Sequence, residues 1–399
     1  MEKLEKSVPV IRFKGFSEAW EQRKFIEIIN RLSKTSNSSI LPKVEYEDII
    51  AEEGRLNKDI SNKFDSRKGI LFQPNNILYG KLRPYLKNWL YPDFKGVAVG
   101  DFWVFEAIEA TPRFIYNLIQ TDSYQKVAND TAGTKMPRSD WTKVSNSSFF
   151  IPKESSEQKR IGSFFKQLDN TIALHQHKLD TLKQMKKGFS QQIFPENDRK
   201  KPKIRFNSFC EEWEQRKIGE YGYFYYGKSA PKWSVTQDAT TPCVRYGELY
   251  TKFGPEIDIV HSYTNIDKSN LKFSSGNEVL VPRVGENPLD FANCSWLSLS
   301  NVAIGEMISV YNTEQYPLFI AYYFRSKMKY EFAKRVEGGN VSNLYYSYLE
   351  YILISVPSID EQKKIAEFLN KIDITINLLQ NKLDRIKELK KAYLQNMFI

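Results

Sequence analysis

One stretch of the chain occurs twice, and this repetition limits the possible folds more than any other feature. The first copy runs from Glu157 to Phe194 and the second from Glu361 to Phe398. They align without a gap about 204 residues apart, with roughly half of the positions identical, which marks a tandem duplication. In the second copy Ile365, Leu369, Ile372, Ile376, Leu379, Leu383 and Ile386 alternate steps of four and three. In the first copy Ile161, Phe165, Leu168, Ile172, Leu179, Leu182, Phe189 and Ile193 fall on the same steps. This is the seam of a helix that packs along its whole length on another helix, so each copy is predicted to be one long helix, with the two seams facing each other.

The seam has two interruptions. His175 stands where the other copy has Leu379, and no second His or Cys lies at metal spacing beside it, so it reads as a satisfied or edge residue. Lys186, matched by Lys390, reads as a side chain that snorkels at the edge of the seam. An approximate twofold axis relating two similar halves would make the helices antiparallel. About 38 residues at about 1.5 Å each then give a rod of about 57 Å, a ruler between two globular parts.

The 399 residues, 41% of them hydrophobic, suffice for two domains of ordinary size plus these helices. A second repeat opens each half: Ile11-Arg12-Phe13, Phe16, Glu18 and Trp20 to Lys24 recur as Ile204-Arg205-Phe206, Phe209, Glu211 and Trp213 to Lys217. The chain is therefore expected to divide into a globular part at 1–154, a helix at 155–194, a charged linker with two prolines at 195–203, a second globular part at 204–357 and a helix at 358–399. Short β-branched and aromatic runs broken by Gly, Pro and Asn read as strands, and Ser123 to Ala128 and Pro317 to Ala333 read as helical, so each globular part is expected to mix α and β. Val97 to Asp101 parallels Val302 to Glu306. The fold class is α+β, with two tandem mixed domains, two long helices packed as an antiparallel coiled coil, and internal pseudo-twofold symmetry.

A net charge of +10 and a pI near 9.1 favour an acidic partner, nucleic acid first. The loops between the predicted strands point the same way. The first half has Ser33 to Asn37, Tyr79-Gly80-Lys81-Leu82-Arg83-Pro84-Tyr85 and Thr131 to Arg138; the second has Tyr226-Gly227-Lys228 to Trp233, Val244-Arg245-Tyr246, Arg283 and Gly338-Gly339-Asn340. Basic and amide side chains interleaved with aromatics on such loops suit contacts to phosphates and base edges in duplex DNA. The helices and entry segments agree between the halves while these loops differ, which is the pattern of one framework binding two different things.

Reaction motifs are not evident. There is no phosphate-binding loop of the Walker type and no G-x-G-x-x-G. Asn287-Pro288-Leu289-Asp290-Phe291 only partly resembles the base-holding loop of amino-methyltransferases, and Pro92-Asp93 lacks the following acid and lysine of a nuclease metal cluster. His175, His177 and His261 are the only histidines, and Cys210, Cys243 and Cys294 show neither disulfide nor zinc spacing. No apolar run of about 20 residues and no signal-peptide core is present, so a cytoplasmic chain without a membrane partner is expected.

The duplicated plan resembles the specificity subunits of type I restriction-modification systems. The resemblance is carried by the helix entries Glu157-Gln158-Lys159-Arg160-Ile161 and Glu361-Gln362-Lys363-Lys364-Ile365, and by the endings with Lys186-Lys187, Gln191 and Phe194 and with Lys390-Lys391, Gln395 and Phe398. The Ile-Arg-Phe and Trp-Glu-Gln-Arg-Lys openings carry it too. It implies two target-recognition domains, each reading half of a bipartite, asymmetric site in double-stranded DNA. The helices would set the spacer and dock two methyltransferase (modification) subunits. It also implies a non-catalytic chain without cofactors, with S-adenosylmethionine, ATP and Mg belonging to the modification and restriction subunits. DNA contacts are expected at Lys81, Arg83, Lys135 and Arg138 in the first domain and at Lys228, Lys232, Arg245 and Arg283 in the second; Lys178, Lys183, Lys382 and Lys387 are expected on the partner-docking face. Two other classes fit parts of the pattern: a coiled-coil scaffold joining two protein-binding modules, and a stand-alone DNA-modifying enzyme.

Overall fold

The computed structural model describes residues 7–63, 65–131, 135–196 and 199–399. The chain forms two compact units, one of Met1–His177 with Gln380–Ile399 and the other of Lys178–Leu379. The two repeated stretches are helices of 38 residues each, Ser155–Gln192 and Ile359–Asn396, so each unit holds a globular domain and part of both helices.

The seam is where the periodicity puts it. Ile161, Phe165, Ile172, Leu179, Ile365, Leu369 and Leu383 are buried, and Leu168, Leu182, Ile372, Ile376, Leu379 and Ile386 are half-buried. The helices are antiparallel within each unit. In the first, Phe164 near the start of one helix meets Tyr393 near the end of the other, with ring centroids 5.0 Å apart. In the second, Phe189 meets Phe368 at 5.1 Å.

The interrupting lysines do not snorkel. Lys390 is buried and reaches Asp169 on the facing helix at 2.8 Å and Gln120 of the first domain at 3.0 Å. Lys186 pairs with Asp373, which also accepts a hydrogen bond from Tyr322 of the second domain at 2.8 Å. A lysine on the seam that finds a carboxylate across it stays inside, because leaving the seam would strand that acid. His175 is half-buried at the edge of the seam, and its Nδ1 has no hydrogen-bond partner among the described residues.

The repeated entry motifs have a mechanical role. Arg12 holds Glu157 through two bonds of 2.7 and 2.8 Å, and Arg205 holds Glu361 through two of 2.7 Å. Both glutamates are essentially buried, where a bidentate guanidinium is the partner that best satisfies a carboxylate. The next residue, Gln158 or Gln362, accepts from the backbone N–H of Thr111 or Tyr316 and donates to the carbonyl of Pro152 or Pro357. Glu21–Lys24 pairs antiparallel with Ser148–Ile151, and Glu214–Lys217 with Leu353–Val356, so each domain opens and closes on one two-stranded ribbon leading into its helix.

Besides its ribbon and smaller strand pairings, each domain has two larger sheets among the described residues. In the first, Ile29–Leu32, Phe102–Ala107, Ile77–Gly80 and Trp89–Leu90 form an antiparallel sheet, and Thr35–Ser36, Gly69–Phe72, Gly96–Ala98 and Lys43–Val44 form the other. In the second, Gly222–Tyr226, Ile308–Thr313, Glu278–Pro282, Ser295–Leu297 and Glu256–Ile257 make one sheet, and Ser262–Thr264, Thr241–Val244, Ser300–Ile304 and Phe273–Ser275 the other. The helices expected from sequence run Asp122–Ala128, Pro317–Lys327 and Lys329–Ala333.

The last residues of each long helix complete a domain core. Phe398 packs against Phe114, Phe165 and Trp20, with centroids 5.2, 6.1 and 6.2 Å away. The equivalent Phe194 packs against Tyr323 and Phe319 at 5.3 and 5.6 Å, and Phe319 in turn meets Trp213 at 5.8 Å. The stretch expected as a linker therefore begins buried, at Pro195, while Asn197 and Asp198 lie outside the described residues.

Phe398→Ala is expected to destabilise the first unit by about 3 kcal/mol, the cost of a core aromatic truncation, measured by urea unfolding of the full chain. Lys390→Ala, which leaves the four-fifths buried Asp169 unpaired, is expected to cost about 3 kcal/mol, against about 1 kcal/mol for the more exposed Lys186→Ala. Equal midpoints for the two lysine variants would refute this account of the register.

Candidate nucleic-acid interface

The basic residues singled out in each domain gather around one equivalent turn. In the first domain the turn Val99–Asp101 joins the strands Gly96–Ala98 and Phe102–Ala107. The N–H of Val99 donates to Val44, and the N–H of Lys81 donates to Asp101 O, both at 2.9 Å. In the second, Gly305–Met307 joins Ser300–Ile304 and Ile308–Thr313. There the N–H of Gly305 donates to Val244 at 2.9 Å and that of Arg283 to Met307 at 3.0 Å. The hydrogen bonds match Val99 with Gly305 and Asp101 with Met307, one residue off the sequence pairing of Asp101 with Glu306, because strand registry rather than residue likeness fixes the equivalence.

Lys81 and Arg283 occupy corresponding places. Each follows an inner strand of its sheet, and each carbonyl accepts a bond in turn, from Ser139 at 2.9 Å or from Leu344 at 2.8 Å. In the first domain Leu82 bridges to Arg138 and the N–H of Arg83 donates to Pro137 at 2.7 Å, so Lys81, Arg83 and Arg138 lie on two paired loops. Lys135 is exposed on the second of these loops, and its neighbours Ala132 to Thr134 lie outside the described residues. The Asp101 carboxylate draws in Arg138 at 3.0 Å and Lys81 at 3.6 Å. Tyr46 ties the loops together: its hydroxyl donates to Asp101 O and accepts from the N–H of Leu82, and burial pushes its pKa up to about 12, so it stays a phenol.

In the second domain the N–H of Lys228 donates to Ile304 at 2.9 Å, and Ser229 O accepts from Glu306 at 2.7 Å. Arg245 follows Val244, whose carbonyl holds the same turn. Lys228, Arg245 and Arg283 thus flank one turn, while the exposed Lys232 lies further along the Lys228 loop beside Trp233, which is 72% exposed. The Arg283 guanidinium lies over the rings of Tyr226, at 4.4 Å, and Tyr345, at 5.5 Å, and its Nε is buried without a partner among the described residues. A planar cation held by two rings keeps its remaining N–H groups for a ligand.

Backbone strain marks the same loops. Arg83 (φ 49°), Lys87 (φ 54°), Ser229 (φ 64°), Ala230 (φ 65°) and Met307 (φ 62°) are left-handed without being glycine, a cost that tends to persist at binding sites. Gly227 needs its missing side chain, since a Cβ there would lie 2.1 Å from the carbonyl oxygen of Gly305. The sequence reading missed the Tyr226–Arg283–Tyr345 stack and the Tyr46 tie. Tyr226 stood in a quoted loop, but pairing it with residues 57 and 119 positions away needs the sheet order.

On the helices Lys178, Lys183 and Lys382 are exposed and Lys387 is half-buried. It reaches Glu53 of the first domain at 2.8 Å, because the turn at Ala51–Gly54 brings that acid against the helix. Among the described residues no group of three or more His, Cys, Asp or Glu could hold a metal ion, and no helix is long and apolar enough to cross a membrane.

Two modules of one plan, each presenting strained basic loops around one turn, define a duplicated recognition protein. The family model of the type I restriction modification DNA specificity domain matches residues 18–184 and 210–388, and the chain belongs to that family. Two Methanocaldococcus jannaschii proteins are similar to it. The type I restriction enzyme MjaX specificity subunit is 26% identical over 59% of this chain and 55% of its own length. The MjaVIII specificity subunit is 25% identical over 69% and 66% respectively, so the match spans roughly half to two thirds of these relatives. The crystal structure of a type I restriction-modification S subunit from M. genitalium shares the fold, with a TM-score of 0.63 at 11% identity over 98% of this chain and 99% of that one.

Arg283→Ala is expected to weaken duplex binding and to lower the slope of log affinity against log salt by about one if the guanidinium meets a phosphate, or to cost about 1–3 kcal/mol at one base pair if it meets a base. Arg283→Lys, which loses the two-ring stack, is expected to recover less than half of that loss in the same titration.

Proposed function

We propose that the chain is the DNA-recognition subunit of a type I restriction-modification complex, each domain reading one half of a bipartite, asymmetric site. The observation that carries this reading is the recurrence of one basic turn in two domains whose loop residues differ, within a chain that belongs to the specificity family. DNA contacts are assigned to Lys81, Arg83, Lys135 and Arg138 for one half-site and to Lys228, Lys232, Arg245 and Arg283 for the other.

The long helices dock the modification subunits. Their exposed faces carry apolar residues at matching positions of the two copies, Leu174 (52% exposed) with Leu378 (64%) and Met185 (48%) with Leu389 (51%), alongside the lysines 178, 183 and 382. Apolar side chains repeated at the same exposed place suit two copies of one partner, since isolated exposed leucines would not recur in register. In this reading the chain is non-catalytic and works in the cytoplasm. S-adenosylmethionine, ATP and Mg serve the modification and restriction subunits.

Mapping modified adenine genome-wide, in a host with partner subunits, with and without this gene, tests the proposal. A two-part motif with a fixed gap is expected to appear with the gene. Exchanging residues 1–150 for those of another family member is expected to change one half of the motif and leave the other. A host with active modification subunits and no new motif would favour the protein-binding scaffold instead.

A further inference from the structure

Each of the two recognition turns carries one acid, Asp101 in the first domain and Glu306 in the second, in the midst of the basic residues. Such an acid needs a reason on a surface that meets a polyanion. It repels phosphates, and Asp101 also neutralises Arg138 and Lys81, two cations that would otherwise displace counterions from the duplex. The turns do not need it for their shape, since backbone groups hold them: Asp101 O accepts from Lys81 and Tyr46, and the Glu306 N–H donates to Ser229.

Holding the cations in place is not a sufficient reason either. Asp101 has two cationic neighbours, but Glu306 is exposed and has no ion pair among the described residues. What the two acids share is a place on the equivalent turn, with Glu306 one residue before the position that matches Asp101, and their chemistry. An ionised carboxylate only accepts hydrogen bonds, and in the major groove only the exocyclic amines of cytosine and adenine donate. The same carboxylate repels the acceptor edges of guanine and the O4 of thymine. An acid at this place therefore discriminates by attraction to one kind of base edge and by repulsion from the other.

We infer that Asp101 and Glu306 are base-reading residues, each accepting a hydrogen bond from the amine of a cytosine or adenine in the major groove, one in each half-site. This rests on the proposal that these faces meet duplex DNA. Asp101 is 28% exposed at its side chain and one of its oxygens lies 3.0 Å from Arg138, so lone pairs remain for a base. Arg138 and Lys81 stay beside it to meet a phosphate or an adjacent guanine.

The test uses the full chain assembled with its modification subunits, in competition binding against duplexes in which each base pair of the site is replaced in turn. Asp101→Ala is expected to reduce discrimination at one base pair of one half-site by roughly 5- to 150-fold and to leave every other position as it was; Glu306→Ala is expected to do the same in the other half. Asp101→Asn keeps the side chain's size and turn and is expected to shift the preference at that same pair, because an amide both donates and accepts. Affinity that falls by one factor for every duplex would make Asp101 a support for its neighbouring cations and overturn the inference. Affinity that rises by one factor with discrimination intact would make both acids merely repulsive and overturn it too. A wild-type complex with no two-part preference would overturn the recognition reading itself, and this inference with it.

Discussion

The structure depends on where the two long helices end. Phe398 fills the first domain's core beside Trp20 and Phe114, and Phe194 fills the second beside Phe319 and Tyr323. Each domain thus gains an aromatic anchor from the end of a long helix other than the one its own ribbon leads into. Without that anchor the first domain would be held on the helices by its own ribbon and by polar links such as Arg12–Glu157, Gln120–Lys390 and Glu53–Lys387. The ion pairs between Lys390 and Asp169 and between Lys186 and Asp373 then fix the register, since a slip by one turn would bury two charges apart from their partners.

That rigidity below allows diversity above. The basic loops hang from strands whose backbone bonds recur in both domains, with the residue after one inner strand bonded on both sides in each. Side chains on those loops can change without disturbing the frame, provided a few backbone demands are met. The left-handed Arg83, Ser229, Ala230 and Met307 show where the demand is met at a cost, and Gly227 where only the missing Cβ meets it.

The helices were legible because a packing seam has a period, and duplication doubled the signal. The entry and exit motifs were visible as repeats but mute as to purpose: nothing in Ile-Arg-Phe or Glu-Gln announces a bidentate ion pair between residues 145 or 156 positions apart. The lysines on the seam were misjudged for a related reason. A single helix reading sees Lys390 interrupt its own stripe but does not see Asp169 across the seam, although Asp169 and Asp373 recur at the same offset as the lysines. Of the candidate interface, the sequence showed which loops are basic. It did not show that Arg283 lies over the rings of Tyr226 and Tyr345, because that contact is assembled by sheet order rather than by spacing.

Divergence between the modules also reaches below the loops. Both domains tie the register ion pair to a side chain of their own, Gln120 in a turn and Tyr322 on the helix Pro317–Lys327, yet they do it differently. In the first, Gln120 accepts from Lys390, so the domain holds the cation. In the second, Tyr322 donates to Asp373, so the domain holds the anion, and the Lys186 ammonium lies 5.8 Å from the same ring. Either arrangement satisfies the pair, but they respond differently to charge: losing the lysine leaves Gln120 an acceptor without a donor, whereas it leaves Asp373 one remaining hydrogen bond from Tyr322. The helices therefore keep one register through two distinct polar solutions, which lets the domains drift apart in sequence without loosening the frame that carries them.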